Sequence, residues 1–367
     1  MANRAIMPIG LAAVLVMASA VWSGEVDDLL AAIRSVGKEG KGNARAATAT
    51  NQLIARGQPA LLPTLKAFDA KNPIANNWLL TAVNGIVQGQ ERLPAAELEA
   101  FVVNRQHAVP AREIAYELLV KADPTKAQRL LPGMLDDPSA ALRRQAVAAA
   151  LRAVPEQAGE AQLQKLLLAA RDKDQIEEIA NRLETLGKKI DLTSHFGFIT
   201  RWHVLAPLEG NDRAGFRTVY PPEEKVDLAA TYPGRAGKMI GWRVLTTKHQ
   251  YGVLDLNQAI EKVKGVVAFA YAVIESPGER AVQIRIGTPN SLKVYFNGKL
   301  AYAHEEYHHA MDQDQYIVPV VLRKGPNTLL LKIVQNDQPQ PWADRWMFQC
   351  RITDELGGGI VLPTNPQ

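Results

Sequence analysis

The chain of 367 residues is long enough for two ordinary domains, and 47% hydrophobic with 22% charged residues lets both bury a core. The formal net charge of +4 is spread along the chain without a Lys/Arg stripe, which argues against a nucleic-acid partner. A single cysteine, Cys350, excludes an internal disulfide, so stability must come from packing, and this residue reads as a small buried hydrophobe in a strand.

Residues 1–20 read as a signal peptide. Arg4 gives a short basic start, Ile6 to Met17 form an apolar stretch interrupted by Pro8 and Gly10, and Ala18-Ser19-Ala20 is a small-x-small cleavage signal. The stretch is short for a membrane span, so no stable membrane insertion is expected beyond this leader, with an uncleaved N-terminal anchor as the alternative. An exported chain without disulfides fits the periplasm or exterior of a bacterial envelope.

Residues 25–190 read as a helical domain. Leu163, Leu166, Leu167 and Ala170 fall at i, i+3, i+4 and i+7, and Ile176, Ile179, Ala180 and Leu183 repeat that spacing. Between Pro138 and Val154 there are two apolar stripes, one of Leu142, Ala146, Ala149, Ala150 and Ala153, the other of Val147, Leu151 and Val154. A helix greasy on two sides is covered on two sides, as in a stacked array. Leu61-Leu62-Pro63 returns as Leu130-Leu131-Pro132, and each is followed by an acidic turn and then by a proline, Pro73 or Pro138. Pro110 marks a similar helix start, since proline suits a first turn where its missing N–H is not needed.

Asp136-Asp137-Pro138-Ser139 followed by Leu142-Arg143-Arg144-Gln145-Ala146-Val147 resembles a HEAT repeat, of the armadillo type. The match is good for this repeat and loose for roughly four in all, at the period of helical solenoids. The resemblance implies an α-solenoid that binds a protein partner. Isolated His107 reads as a loop residue and Trp78 as core or groove.

After Leu192 the period changes to two, and residues 195–362 read as an antiparallel β-sandwich. Val282, Ile284 and Ile286 alternate with Gln283 and Arg285. Val267, Phe269, Tyr271 and Val273 alternate with alanines, and Leu329, Leu331 and Ile333 follow the same rule. Asn297-Gly298 between two strand patterns suits a type I′ hairpin turn. Many short strands without intervening helices point to a sandwich or jelly roll. Trp202, Trp242 and Trp346 sit in strand patterns and read as core.

The ordered segments FITRWHVLAP (198–207), VYPPE (219–223), GWR (241–243) and IGTPNSLKVYFNG (286–298) resemble the jelly-roll domain of exported planctomycete-type proteins. That domain is related in style to PA14 and galactose-binding-like sandwiches. The resemblance implies carbohydrate binding. Many PA14 domains place Asp-Asp-Gly before such a hairpin to hold calcium. Here the place reads Thr288-Pro289-Asn290-Ser291, with no carboxylate, and no calcium is expected there.

His304-Glu305-Glu306-Tyr307-His308 matches H-E-x-x-H, which on a helix sets two imidazoles on one face for zinc with the glutamate as base; His309 adds a weak third candidate. Its context is strand-like and no downstream ligand follows, so no metal and no cofactor are expected. A glycan site stacks a flat ring on sugar C–H faces and uses carboxylates for hydroxyls. The proline-rich loop 336–344 supplies Trp342, flanked by Asp337 and Asp344, and Tyr307 is added as a ligand candidate. No catalytic set stands out. The expectation is an exported, non-catalytic protein that binds a protein partner, a glycan or both. The alternatives are a metal-dependent hydrolase using the HEEYH motif and a glycoside-active sandwich.

Overall fold

A computed structural model describes residues 24–155, 159–210, 214–307 and 309–364. The expected signal peptide lies outside the described residues. By its contacts the chain divides into two units, one of residues up to 155 with 168–170, the other of 156–167 and 171 onward. Helices fill the first and antiparallel sheets dominate the second. Among the described residues no helix is long and apolar enough to cross a membrane.

The helical unit runs through α1 (24–34), α2 (Asn43–Arg56), α3 (Leu61–Lys66), α4 (Pro73–Val87), α5 (Ala95–Val103), α6 (Val109–Ala122), α7 (Pro124–Leu130) and α8 (Ala140–Ala153). Pro73 and Pro110 fall in first turns, and Pro138 directly precedes the cap of α8. Asn72, Asp123 and Ser139 cap α4, α7 and α8 by accepting the N–H of Ala75, Lys126 and Leu142. The core is a chain of small and branched side chains, among them Leu53, Leu61, Leu79, Val83, Leu98 and Leu119. On α8 both expected stripes are covered at Leu142, Ala146, Val147 and Leu151, while Ala153 at the helix end is exposed.

The acidic turn before α8 is a junction. Asp137 and Arg112 of α6 are each 1% exposed and joined by two hydrogen bonds of 2.9 and 2.6 Å, and Arg112 Nε donates to Val102 O. Arg143 of α8 donates to the Asp137 carbonyl, and Arg105 holds Asp136 at 2.6 Å. Burial alone would raise the Asp137 carboxyl, but the Arg112 guanidinium and the Ser139 N–H outweigh it and the net direction is down.

Among the described residues α9 (Glu160–Ala169), whose last two residues fall in the first unit, α10 (Lys173–Thr185) and α11 (Leu192–Phe196) precede twelve strands of the second. These are β1 (Arg201–Glu209), β2 (Thr231–Pro233), β3 (Met239–Gly241), β4 (Arg243–Thr246), β5 (Leu254–Asp255), β6 (Val266–Ser276), β7 (Arg280–Gly287), β8 (Ser291–Phe296), β9 (Lys299–His304), β10 (Tyr316–Leu322), β11 (Gly325–Val334) and β12 (Met347–Thr353). One sheet has the order β4-β1-β6-β11-β8-β9, a second β10-β7-β12-β5, and β2 pairs with β3. Alternate residues of the two large sheets meet in one core that holds Trp202, Val282, Ile284, Ile286, Leu329, Leu331, Ile333, Trp346 and Cys350. Asn297 at φ 49° and Gly298 at φ 74° make the expected hairpin turn.

The six-stranded sheet is buried on both faces at β6. Its alanines 268, 270 and 272 belong to the core between the sheets, while Val267 and Phe269 join an outer cluster with Phe216, Tyr232 and Leu330. Segment 214–242 therefore forms a cover on the sheet. A buried lysine clips it there. Lys332 of β11 is 0% exposed and donates to Thr218 O at 2.6 Å, Phe216 O at 3.3 Å and Glu223 Oε1 at 2.7 Å. Tyr295 OH donates to the same carboxylate. Burial pushes the Lys332 ammonium down to about 8 against the opposing pull of Glu223.

On the four-stranded sheet a second network joins distant segments. Arg351 Nε donates to Asp314 at 2.6 Å, Arg285 donates to Asp314 at 2.7 Å, and Arg351 also reaches the carbonyls of Phe196 and Gly357. Burial would raise Asp314, but the Arg351 and Arg285 guanidinium groups hold it below the usual carboxylate range.

Candidate ligand site

The loop between β11 and β12 is built from polar side chains turned inward. Asn336 Nδ2 donates to Ala343 O, and Asn336 Oδ1 accepts from Gln338 N. Gln335 Nε2 donates to Asp344 O, and Asn257 Nδ2 donates to the same oxygen at 2.6 Å. Lys264 Nζ donates to both Gln338 O and Gln340 O at 2.6 Å. A loop whose carbonyls are bound from beneath keeps one shape, because releasing it leaves buried donors without partners.

The stretch before the β8 hairpin closes on this loop. Asn290 Nδ2 donates to Gln335 Oε1 and Arg345 O, Asn290 Oδ1 accepts from Met347 N, and Thr288 Oγ1 donates to Met347 O. These neutral groups bind the chain itself.

On that platform Trp342 is 66% exposed. Its ring lines a pocket of about 190 Å³ with Pro289, His309, Ala310, Ala343 and Arg345. His309 contacts Gln315 Nε2 at 2.7 Å through Nδ1 and Tyr316 OH at 3.3 Å through Nε2. His309 Nδ1 also lies 2.9 Å from Ala310 O, so the ring is held on both edges.

The expected ligand residues divide. Trp342 and His309 share the pocket. Asp344 lies just behind it, paired with Lys262 at 2.6 Å, and that hydrogen bond holds its carboxyl low. Asp337 lies beside Gly265, and Tyr307 packs on the outer cluster with Tyr295 and Leu330, so neither lines the pocket. Arg345 and Pro289 do line it and carried no sequence signal. Trp242, which the strand pattern assigns to the core, is half-buried: it lies between β3 and β4, packs on the outer cluster and lines a different cleft.

The HEEYH motif is not helical over its described part. His304 ends β9 and residues 305–307 are irregular; His308 lies outside the described residues. His304 Nε2 meets Glu306 Oε2 at 2.8 Å, and its ring packs on Tyr316. Glu305 accepts from Arg217 at 3.2 Å. The carboxylate that would serve as base is thus held by a guanidinium, and His304 and His309 both pack on Tyr316 while their ring nitrogens meet Glu306 and Gln315. Among the described residues no cluster of three His, Cys, Asp or Glu side chains is arranged to hold a metal.

No protein-family model matches the sequence, and no curated protein matches it. Among solved structures, a beta-glucosidase from Kluyveromyces marxianus aligns with 48% of this chain at 13% identity and a TM-score of 0.25. The alignment spans 22% of that enzyme's length. A likeness this distant carries neither fold nor activity over to this chain.

Proposed function

We propose that this is an exported, non-catalytic binding protein of a bacterial envelope, in which a HEAT-like helical array engages a protein partner and a jelly-roll sandwich of PA14 or galactose-binding style engages carbohydrate. One observation carries the carbohydrate reading: an exposed indole, Trp342, stands on a loop fixed from below by Lys264, Gln335 and Asn336. A rigid flat ring beside a small pocket stacks on a sugar face with little ordering cost, and Arg345 and His309 supply polar edges. The HEAT-like reading is supported by the acidic turn of Asp136 and Asp137, which receive Arg105 from the turn between α5 and α6 and Arg112 from α6.

The test is a glycan array followed by calorimetry on the full chain. A cell-wall or algal polysaccharide should bind, and Trp342→Ala should weaken it by about tenfold, the loss of ~1.4 kcal/mol at a central aromatic contact. Failure to bind any such polysaccharide, or equal binding by the alanine variant, refutes the reading.

A further inference from the structure

A wide cleft in the second unit is separate from Trp342. It encloses about 750 Å³ between Ala206-Pro207 of β1, the turn and second strand of the β2–β3 hairpin, and Ile260-Glu261. The hairpin approaches β1 closely. A side chain at Gly234 would put its Cβ 2.9 Å from both Pro207 O and Lys238 O, so glycine there sets how near the wall stands. Ala236 and Gly237 carry the turn at φ 54° and 74°, between Arg235 and Lys238.

Arg235, Lys238 and Arg243 all line this cleft, against one carboxylate, Glu261. Among the described residues none of the three cations has an ion-pair or hydrogen-bond partner for its side chain. Some other cations of this unit are paired, Lys262 on Asp344, Arg217 on Glu305, Lys332 on Glu223, Arg285 and Arg351 on Asp314, while others such as Lys299 and Lys324 stand singly on the surface; what sets these three apart is that they line one cleft. Three unpaired cations converging on one cavity raise the local positive potential and select an anion. Between them stands Trp242, braced edge-on against Tyr271 at 6.3 Å, with Ile240 and Ile260 beside it. The cleft joins a flat ring and two aliphatic side chains to a set of guanidinium and ammonium donors.

We infer that this cleft is a second binding site, specific for an acidic sugar chain whose carboxylate or sulfate groups meet Arg235, Lys238 and Arg243 while a ring face stacks on Trp242. Guanidinium groups bind planar or tetrahedral oxyanions through paired N–H donors. Glu261 accepts from sugar hydroxyls. The volume suits a short oligosaccharide, within the range of roughly 300–1,000 Å³ that encloses small ligands. This site stands independently of the Trp342 pocket, since no residue lines both.

Calorimetry on the full chain tests it with three probes: trigalacturonate, a sulfated galactan oligosaccharide of similar length, and neutral galactotriose. At least one acidic probe should bind and weaken with salt, while galactotriose should bind at least tenfold more weakly. The tighter acidic probe distinguishes carboxylate from sulfate. Arg235→Ala with Arg243→Ala should weaken that binding by about tenfold or more, and Trp242→Ala by about tenfold, whereas Trp242→Phe should retain most of it. Trp342→Ala and Lys299→Ala should leave it unchanged. Thermal transitions matching the wild type show that each variant is folded. Equal binding of all three sugars, no binding of either acidic probe, unchanged affinity in the double arginine variant, or an equal loss in Lys299→Ala would overturn the proposal. Loss in Trp342→Ala alone would place the acidic sugar at the other pocket and overturn it as well.

Discussion

Both units bury charge, and they use it differently. In the helical unit Arg112 and Asp137 are 25 residues apart and join the start of α6 to the turn before α8. In the β unit Lys332 and Glu223 are 109 apart, and Arg351 reaches back 155 residues to Phe196 O. The first kind of pair fixes the junction between neighbouring helices. The second kind clips irregular segments to sheet faces that would otherwise be wet. A pair that removes two charges from water must find nearly all its hydrogen bonds inside, and in both units the carbonyls around the pair complete the set.

The largest effect expected is in the helical unit. Asp137→Ala leaves Arg112 buried without its carboxylate and should lower stability by about 3–5 kcal/mol, read by chemical denaturation of the full chain. Lys332→Met should cost less, about 2–3 kcal/mol, because Glu223 keeps the Tyr295 hydroxyl and the Tyr220 N–H. A larger loss at Lys332 than at Asp137 would break the comparison, by showing that the cover over the sheet depends more on its clip than the helices depend on their junction.

The two pairs also differ in their pH signature. Lys332 falls from 10.5 to about 8 in the folded chain, so between those values the unfolded chain binds more protons and this group's contribution to stability rises with pH. Asp137 and Asp314 are depressed, so their contribution is full above the unfolded carboxylate range and is lost as pH falls through their folded values. Stability measured against pH should show a rise above pH 8 in the wild type relative to Lys332→Met. Identical alkaline limbs would mean that the folded chain holds the Lys332 proton as tightly as the unfolded chain does.

This contrast also explains what the sequence could show. The acidic turn and the start of α8 were legible in the Asp-Asp-Pro-Ser and Leu-Arg-Arg-Gln-Ala-Val segments, but the buried partner Arg112 was not, since it lies 25 residues before Asp137. The sandwich core was legible from alternation at Val282, Ile284 and Ile286. The face assignment of β6 was not, since Val267 and Phe269 alternate as cleanly as the alanines and only the cover at 214–242 shows why both faces are apolar. Trp342 stood out through its proline and amide flanks. Arg345 and Pro289 did not, because their place on the pocket depends on Asn290 drawing two loops together across 55 residues. The cleft at Trp242 was hidden for the same reason: its walls come from β1, a hairpin and residues 260–261.

The smallest effect on stability belongs to Trp342. Its ring is mostly in water, so Trp342→Ala should change unfolding free energy by no more than about 0.5 kcal/mol, as for other exposed positions. Lys264→Met separates support from contact. It removes two hydrogen bonds beneath the loop without touching the ring and should cost about 1–2 kcal/mol of stability. If pocket geometry matters, the same variant also weakens glycan binding while Trp342 remains in place. A Lys264→Met protein that is destabilised yet binds as tightly as the wild type would show that the indole acts as a free-standing surface ring, and that the inward hydrogen bonds of the loop serve only the fold.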